Sequence, residues 1–200
     1  MAHFFAFPIS MFIDRFSAEA VDTYLKSYRC AKNADIEHFV RSNALDMERK
    51  GITVTYLVFS ETPRASFAGF FSLTMKVLHL DGNSLSKSAT KRLLRFGELD
   101  DGGGSIEIPA ILIAQFGKND DCPKECRISG DELMGLAIDK VQLAQSYIGG
   151  RYVYLECEDN EKLLSFYESQ QFHIFGLRKA IDTDGVKGKR DLVRMIRYLK

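Results

Sequence analysis

No stretch of this 200-residue chain approaches the length and apolarity of a transmembrane span. The apolar opening, MAHFFAFPISMFIDRF, lacks a basic leader and carries Asp14 and Arg15 early, which predicts a first strand and not a signal peptide. Net charge is lacking too, since 27 Lys and Arg are offset by 27 Asp and Glu. Without a surplus of either sign there is no strong nonspecific pull toward nucleic acid or an acidic membrane, and any such binding needs a local basic patch. The cysteines, at 30, 122, 126 and 157, include no CxxC pair, and only Cys122 and Cys126 are close in sequence. That argues against zinc, and His3, His38, His79 and His173 show no ligand spacing either, so no metal is expected. Free thiols in a cytoplasmic protein are the expectation. The nucleotide signatures GxGxxG and GxxxxGK[ST] are absent.

What is present suits one globular domain over residues 1–200, with 46% apolar and 27% charged residues. No repeat or linker divides it. Residues 81–105 read as a variable insertion, with DGNS and DDGGGS around the basic piece TKRLLRF, docked as a partial helix by Leu93, Leu94 and Phe96. A helix is predicted over 17–28, capped by Ser17, and a second over 34–49, closed by Gly51. ITVTYLVFS and FAGFFSLTMKVLHL then read as a long antiparallel hairpin. SIEIPAILIAQFGKN has the near-continuous apolar run of a strand covered on both faces, with Pro109 requiring an edge, bulge or first position. A helix over 131–147 and the strand RYVYLECE complete a βαβ unit. A short helix from about 161 to 170 follows the cap-like Asp159-Asn160, and two strands, FHIFGLRKAI and RDLVRMIRYLK, end the chain.

Gly130 stands at the mouth of the long helix, where unpaired amides and the positive end of the helix dipole suit an anion, although close helix–strand packing explains a glycine there equally well. The order of elements, and above all VYLECEDNEKLLSFYESQQFHIFG, resembles the Gcn5-related N-acetyltransferase family. FYESQQF corresponds to the family's FYxxxGF, with Gln171 at the usual glycine. NADIEHFVRSNALDMERKGITVTYLVF followed by AGFFSLT is similar to a subgroup with toxin-like members that acetylate aminoacyl-tRNA.

The resemblance implies an α/β (α+β) fold with a mixed, centrally splayed sheet flanked by helices, and transfer of acetyl from acetyl-CoA to a primary amine in a ternary complex. It places the family's [QR]xxGx[GA] pyrophosphate loop on Glu125-Cys126-Arg127-Ile128-Ser129-Gly130, with Glu125 and Ile128 departing from the pattern. Arg127, Ile128, Ser129, Gly130 and Asp131 would then hold the coenzyme A diphosphate, Leu112, Ile113 and Ala114 would face its pantetheine arm, and Asn160 would stand near it. IAQFGKN would offer amides to the thioester carbonyl. Tyr167, on its own a core aromatic, becomes the general acid for the leaving thiolate. Glu107 and Glu156 are the candidates for the general base. The acceptor is open between a small-molecule or protein amine and aminoacyl-tRNA, with basic candidates Lys87, Lys91, Arg92, Arg95, Lys187, Lys189, Arg190 and Arg194. A non-catalytic coenzyme A-binding or partner-binding module is the other reading, and exposed sheet edges leave room for a homodimer.

Overall fold

The computed structural model describes residues 3–61, 65–82, 85–178 and 191–200. The opening segment is only partly a strand. β1 (Phe4–Pro8) gives way at Pro8 to the helix α1 (Ile9–Arg15). Pro8 is the N-cap of α1 in extended backbone, φ −68° and ψ 148°, so it ends the strand and starts the helix, which the reading of one long strand overlooked. Ser17 caps α2 (Ala18–Leu25) by accepting from the Ala20 amide at 3.2 Å. Asn33 caps α3 (Ala34–His38). The predicted second helix continues through a wide π turn, Phe39–Asn43, into α4 (Ala44–Arg49), and Gly51, at φ +66°, ends it.

β2 (Val54–Ser60) and β3 (Phe67–Asp81) form the predicted antiparallel hairpin, with Tyr56 opposite Phe71. α5 (Lys87–Leu93) and the two-residue β4 (Glu98–Leu99) supply order inside the insertion. β5 (Ser105–Lys118), α6 (Gly130–Ile148) and β6 (Tyr152–Glu158) follow as strand, helix and strand. α7 (Glu161–Ser169), β7 (His173–Arg178) and β8 (Leu192–Tyr198) complete the chain; the DTDGVKGK connection lies outside the described residues. Pro109 sits inside β5 and not at its start. It lies beyond Glu107, the last β5 residue paired with β4, so no β4 carbonyl requires its missing amide.

The chain forms two compact units, Met1–Thr74 with Ile113–Lys140 and Met75–Leu112 with Val141–Lys200. In the first, the strand order is β1-β2-β3-β5. Phe67 to Leu73 of β3 is buried on both faces here, as its largely apolar run requires, with Ser72 satisfied by the Thr55 hydroxyl at 2.8 Å. A chain of ring contacts runs from Phe5 and Phe7 through Phe12, Phe59 and Phe67 to Tyr28, Phe70 and Phe39. Such pairs add about 0.5–1.5 kcal/mol each beyond area burial.

In the second unit the order is β3-β5-β6-β8-β7, with β4 paired to β5 beside that path. Its core gathers Leu78 and Leu80 of β3, Leu93 of α5, Ile106 and Ile108 of β5, and Tyr152 and Tyr154 of β6. Leu93 is buried and Phe96 packs against this core, whereas Leu94 faces solvent.

The end of α7 determines how the last two strands begin. The Phe172 amide donates to the Tyr167 carbonyl at 3.0 Å and the Gln171 amide to the Glu168 carbonyl at 2.9 Å. This is the Schellman pattern, with the Phe172 ring edge-on to Tyr167 at 6.2 Å as its apolar contact. The motif requires a left-handed residue, and Gln171 takes it at φ 65°. A side chain in that conformation costs roughly 1–2 kcal/mol. Gln171→Gly should therefore stabilise the protein by about 1 kcal/mol in urea unfolding; an unchanged or lower midpoint would contradict this reading of the cap.

Candidate active site

β6 and α7 present the residues nearest to acid chemistry, and all lie in the second unit. Asn160 closes the turn between them and caps α7, its side-chain oxygen accepting from the amides of Lys162 at 3.0 Å and Leu163 at 3.4 Å. About two turns later Tyr167 is 9% exposed, its ring against Phe166 and Phe172. Burial, and next the neighbouring Cys157, push its phenol above the usual tyrosine range. The group stays neutral and keeps its proton across physiological pH. Cys157 is buried and its thiol is pushed up to about 11, chiefly by desolvation, so it is a small core residue and not a nucleophile.

The two carboxylates read as bases are both engaged. Glu156 is held by the Arg178 guanidinium at 2.9 Å and by that of Arg194, its antiparallel partner on β8, at 3.2 Å. An ion pair on each oxygen ties up the lone pairs a base would use. The same contact removes Arg194 from the free basic residues. Glu107 lies 3.2 Å from His79 at a more exposed position.

In the first unit, the loop entering α6 is capped from within. Ser129 and Glu132 form a reciprocal capping box: the Glu132 amide donates to Ser129 Oγ at 3.1 Å, and the Ser129 amide to Glu132 Oε2 at 2.9 Å. The Ser129 hydroxyl, and next the Ser129 amide, hold the Glu132 carboxyl below the usual carboxylate range. Sequence reading marked Glu125 as a departure from the family pattern and missed Glu132, although S-G-D-E is a recognisable S-x-x-E box. Arg127, expected at the diphosphate, spends its guanidinium on the carbonyls of Cys122 at 3.0 Å and Asp120 at 3.1 Å. Ile128, at the family's middle glycine, is buried and not left-handed: among the described residues Gln171 is the only non-glycine at positive φ. Cys122 and Cys126 are buried, with the Cys122 thiol donating to the Cys126 carbonyl. Among the described residues no cluster of His, Cys, Asp and Glu could hold a metal ion.

The end of β5 is fastened to the aromatic core of the same unit. The Tyr28 hydroxyl donates to the Lys118 carbonyl at 3.0 Å, and a side chain at Gly117 would meet that hydroxyl. The Asn119 amide donates to the Ala68 carbonyl at 2.9 Å, so this amide of IAQFGKN is not available to a thioester. The buried Asn119 side chain also donates to the Phe67 carbonyl and accepts from the Arg29 amide, a structural role that sequence reading did not assign. Of the strand residues expected at a pantetheine arm, Ile113 is buried while Leu112 and Ala114 are half-buried.

No family model matches the chain, and no curated protein does. Solved structures resemble it over nearly its whole length. AtaT complexed with acetyl-methionyl-tRNAfMet is 17% identical, with a TM-score of 0.61 over 96% of this chain and 94% of that one. AtaTR bound with AcCoA is 16% identical, with a TM-score of 0.55 over 98% and 92%. A bacterial toxin is 15% identical, with a TM-score of 0.61 over 100% and 92%. No described helix is long and apolar enough to cross a membrane. What identities this low establish is architecture: the chain has the mixed α/β acyl-CoA N-acyltransferase fold, with the centrally splayed sheet of the Gcn5-related N-acetyltransferases.

Proposed function

We propose that the chain is an acetyl-CoA-dependent N-acetyltransferase whose acceptor is the α-amine of an aminoacyl-tRNA. The observation that carries this reading is the near-complete structural likeness to a protein seen with an acetylated methionyl-tRNA, together with a buried, neutral Tyr167 on the helix where the family's acid stands. The amine attacks the thioester directly, and Tyr167 gives its proton to the leaving thiolate as sulfur gains charge.

The engaged state of Glu107 and Glu156 favours an α-amine over a lysine. An α-amino group titrates near pH 8 and a lysine near 10.4, so the former needs no strong base to supply its neutral form at physiological pH. Phosphates have a candidate docking place in the insertion. Lys87, Lys91 and Arg95, spaced along one face of α5 and the turn after it, line a groove of about 480 Å³ with Leu85, Thr90 and Leu94 and no carboxylate. Lys187, Lys189 and Arg190 fall outside the described residues.

Coenzyme A fits the loop before α6 on one condition. The helix end offers a positive dipole and Gly130 permits close approach, but the Ser129 amide must first release Glu132. Residues 127–131 would then hold the diphosphate, and the bound thioester would supply the activated acetyl group.

The direct test is incubation with acetyl-CoA and either charged tRNA or bulk protein. Acetyl transfer to the aminoacyl group is expected; acetylation of protein alone would eliminate the tRNA reading. Tyr167→Phe should lower kcat about 100-fold or more with little change in KM for acetyl-CoA, and equal turnover would remove Tyr167 from the chemistry. Glu132→Gln keeps the capping box but removes a like charge worth about 1 kcal/mol near a phosphate, so acetyl-CoA should bind roughly fivefold tighter. Unaltered affinity would mean the diphosphate sits elsewhere. Lys91→Ala should weaken tRNA binding and reduce the slope of log affinity against log salt by about 1, with acetyl-CoA affinity unchanged; an unchanged slope would clear α5 of a phosphate contact.

A further inference from the structure

Tyr152 opens β6 with its ring buried and its hydroxyl unpaired. The side chain is 4% exposed, and its oxygen has no hydrogen-bond partner among the described residues. A buried O–H without an acceptor is a standing cost that native structures rarely carry without a reason. Three elements of the second unit meet around it. Phe96, just after α5, meets the Tyr152 ring edge-on at 5.9 Å, and Tyr198, its antiparallel partner on β8, meets it at 5.5 Å. Phe96 and Tyr198 also touch each other, at 5.8 Å. Leu93 anchors α5 in the core that Tyr152 shares.

That anchorage sets Arg92 at the same corner. Burial pushes the Tyr152 phenol above the usual tyrosine range and the Arg92 guanidinium pulls the other way, so its charge lies within reach of the hydroxyl. Arg92 is exposed, and no carboxylate among the described residues pairs with it. A guanidinium has no acceptor to offer the phenol O–H. What both groups lack is the oxygen of an anion.

We propose that Arg92 and Tyr152 clamp one backbone phosphate of an RNA, which rests on the tRNA part of the reading above and deepens it. Arg92 flanks Lys91 and Arg95 of the α5 groove, so neighbouring phosphates of one strand meet neighbouring cations. Tyr198 is 46% exposed and offers a ring beside the clamp on which a base packs, a surface for which a small free anion has no use. Tyr152 stands five residues before Cys157, the β6 residue whose charge bears on Tyr167, so roughly 16 Å of strand separate clamp and phenol. The contact therefore positions the RNA at a distance from the reacting amine.

Fluorescence anisotropy with deacylated tRNA, on the full chain without acetyl-CoA, tests this apart from the chemistry. Tyr152→Phe removes only the unpaired hydroxyl, so its urea midpoint should equal or exceed that of the wild type while tRNA binds about tenfold more weakly. A packing role alone would not part those two readouts. Arg92→Ala should lower the slope of log affinity against log salt by about 1, and the double variant should lose less than the product of the two single losses, because one phosphate serves both. Wild-type affinity in Tyr152→Phe, or losses that multiply in the double variant, would overturn the proposal, as would a wild type that binds no tRNA. A chain that binds tRNA through both residues and fails to acetylate it when charged would keep the clamp and lose the acceptor assignment. One that acetylates charged tRNA while both variants bind normally would keep the acceptor and lose the clamp.

Discussion

The left-handed turn at Gln171 is the constraint on which the candidate site depends. Through it the Phe172 amide closes on the Tyr167 carbonyl, and the same Phe172 places its ring edge against the phenol. β7 begins at His173, one residue later, pairs with β8, and β8 pairs with β6, the strand that leads back into α7. One cap therefore fixes both the Tyr167 side chain and the start of the strand pair that ends the sheet. The family's glycine would adopt this turn more easily. That glutamine holds it shows how strongly the surrounding bonds determine the backbone here.

The mouth of α6 follows a different logic. There the positive end of a 19-residue helix is neutralised by Glu132 from its own first turn. The capping box stabilises the helix as it stands, and the amide it occupies is one that a diphosphate would seek. Diphosphate binding at this loop would be an exchange of one anion for another and not the filling of an open cradle. The divergence from the family pattern is then less damaging than the letters suggest. Ile128 is buried without backbone strain, and Arg127 serves the loop's internal carbonyls.

Much of the architecture was legible because it rests on local signals. Ser17 and Asn160 cap helices where their side chains predict, the β2–β3 hairpin follows from β-branched and aromatic runs, and Gly51 ends a helix through its positive φ. What failed was subtler. The opening apolar run holds two elements because Pro8 breaks its period, and Pro109, expected at an edge, a bulge or a strand start, lies within β5 beyond its pairing with β4. At the site, residue types were legible and their engagement was not. Glu156 and Glu107 look like free carboxylates until β8 and β3 bring Arg194 and His79 beside them, and those pairings link residues far apart in sequence. Glu132 was readable from its spacing to Ser129 and was overlooked beside the family pattern.

The account rests on a chain that takes up acetyl-CoA despite the acid at its helix mouth. Calorimetric titration of the wild-type protein with acetyl-CoA tests that most directly. Saturable, one-to-one binding is the predicted result. An absence of saturable heat up to about 1 mM, where binding would be worth no more than about 4 kcal/mol, would contradict it and leave the fold as a scaffold for some other task.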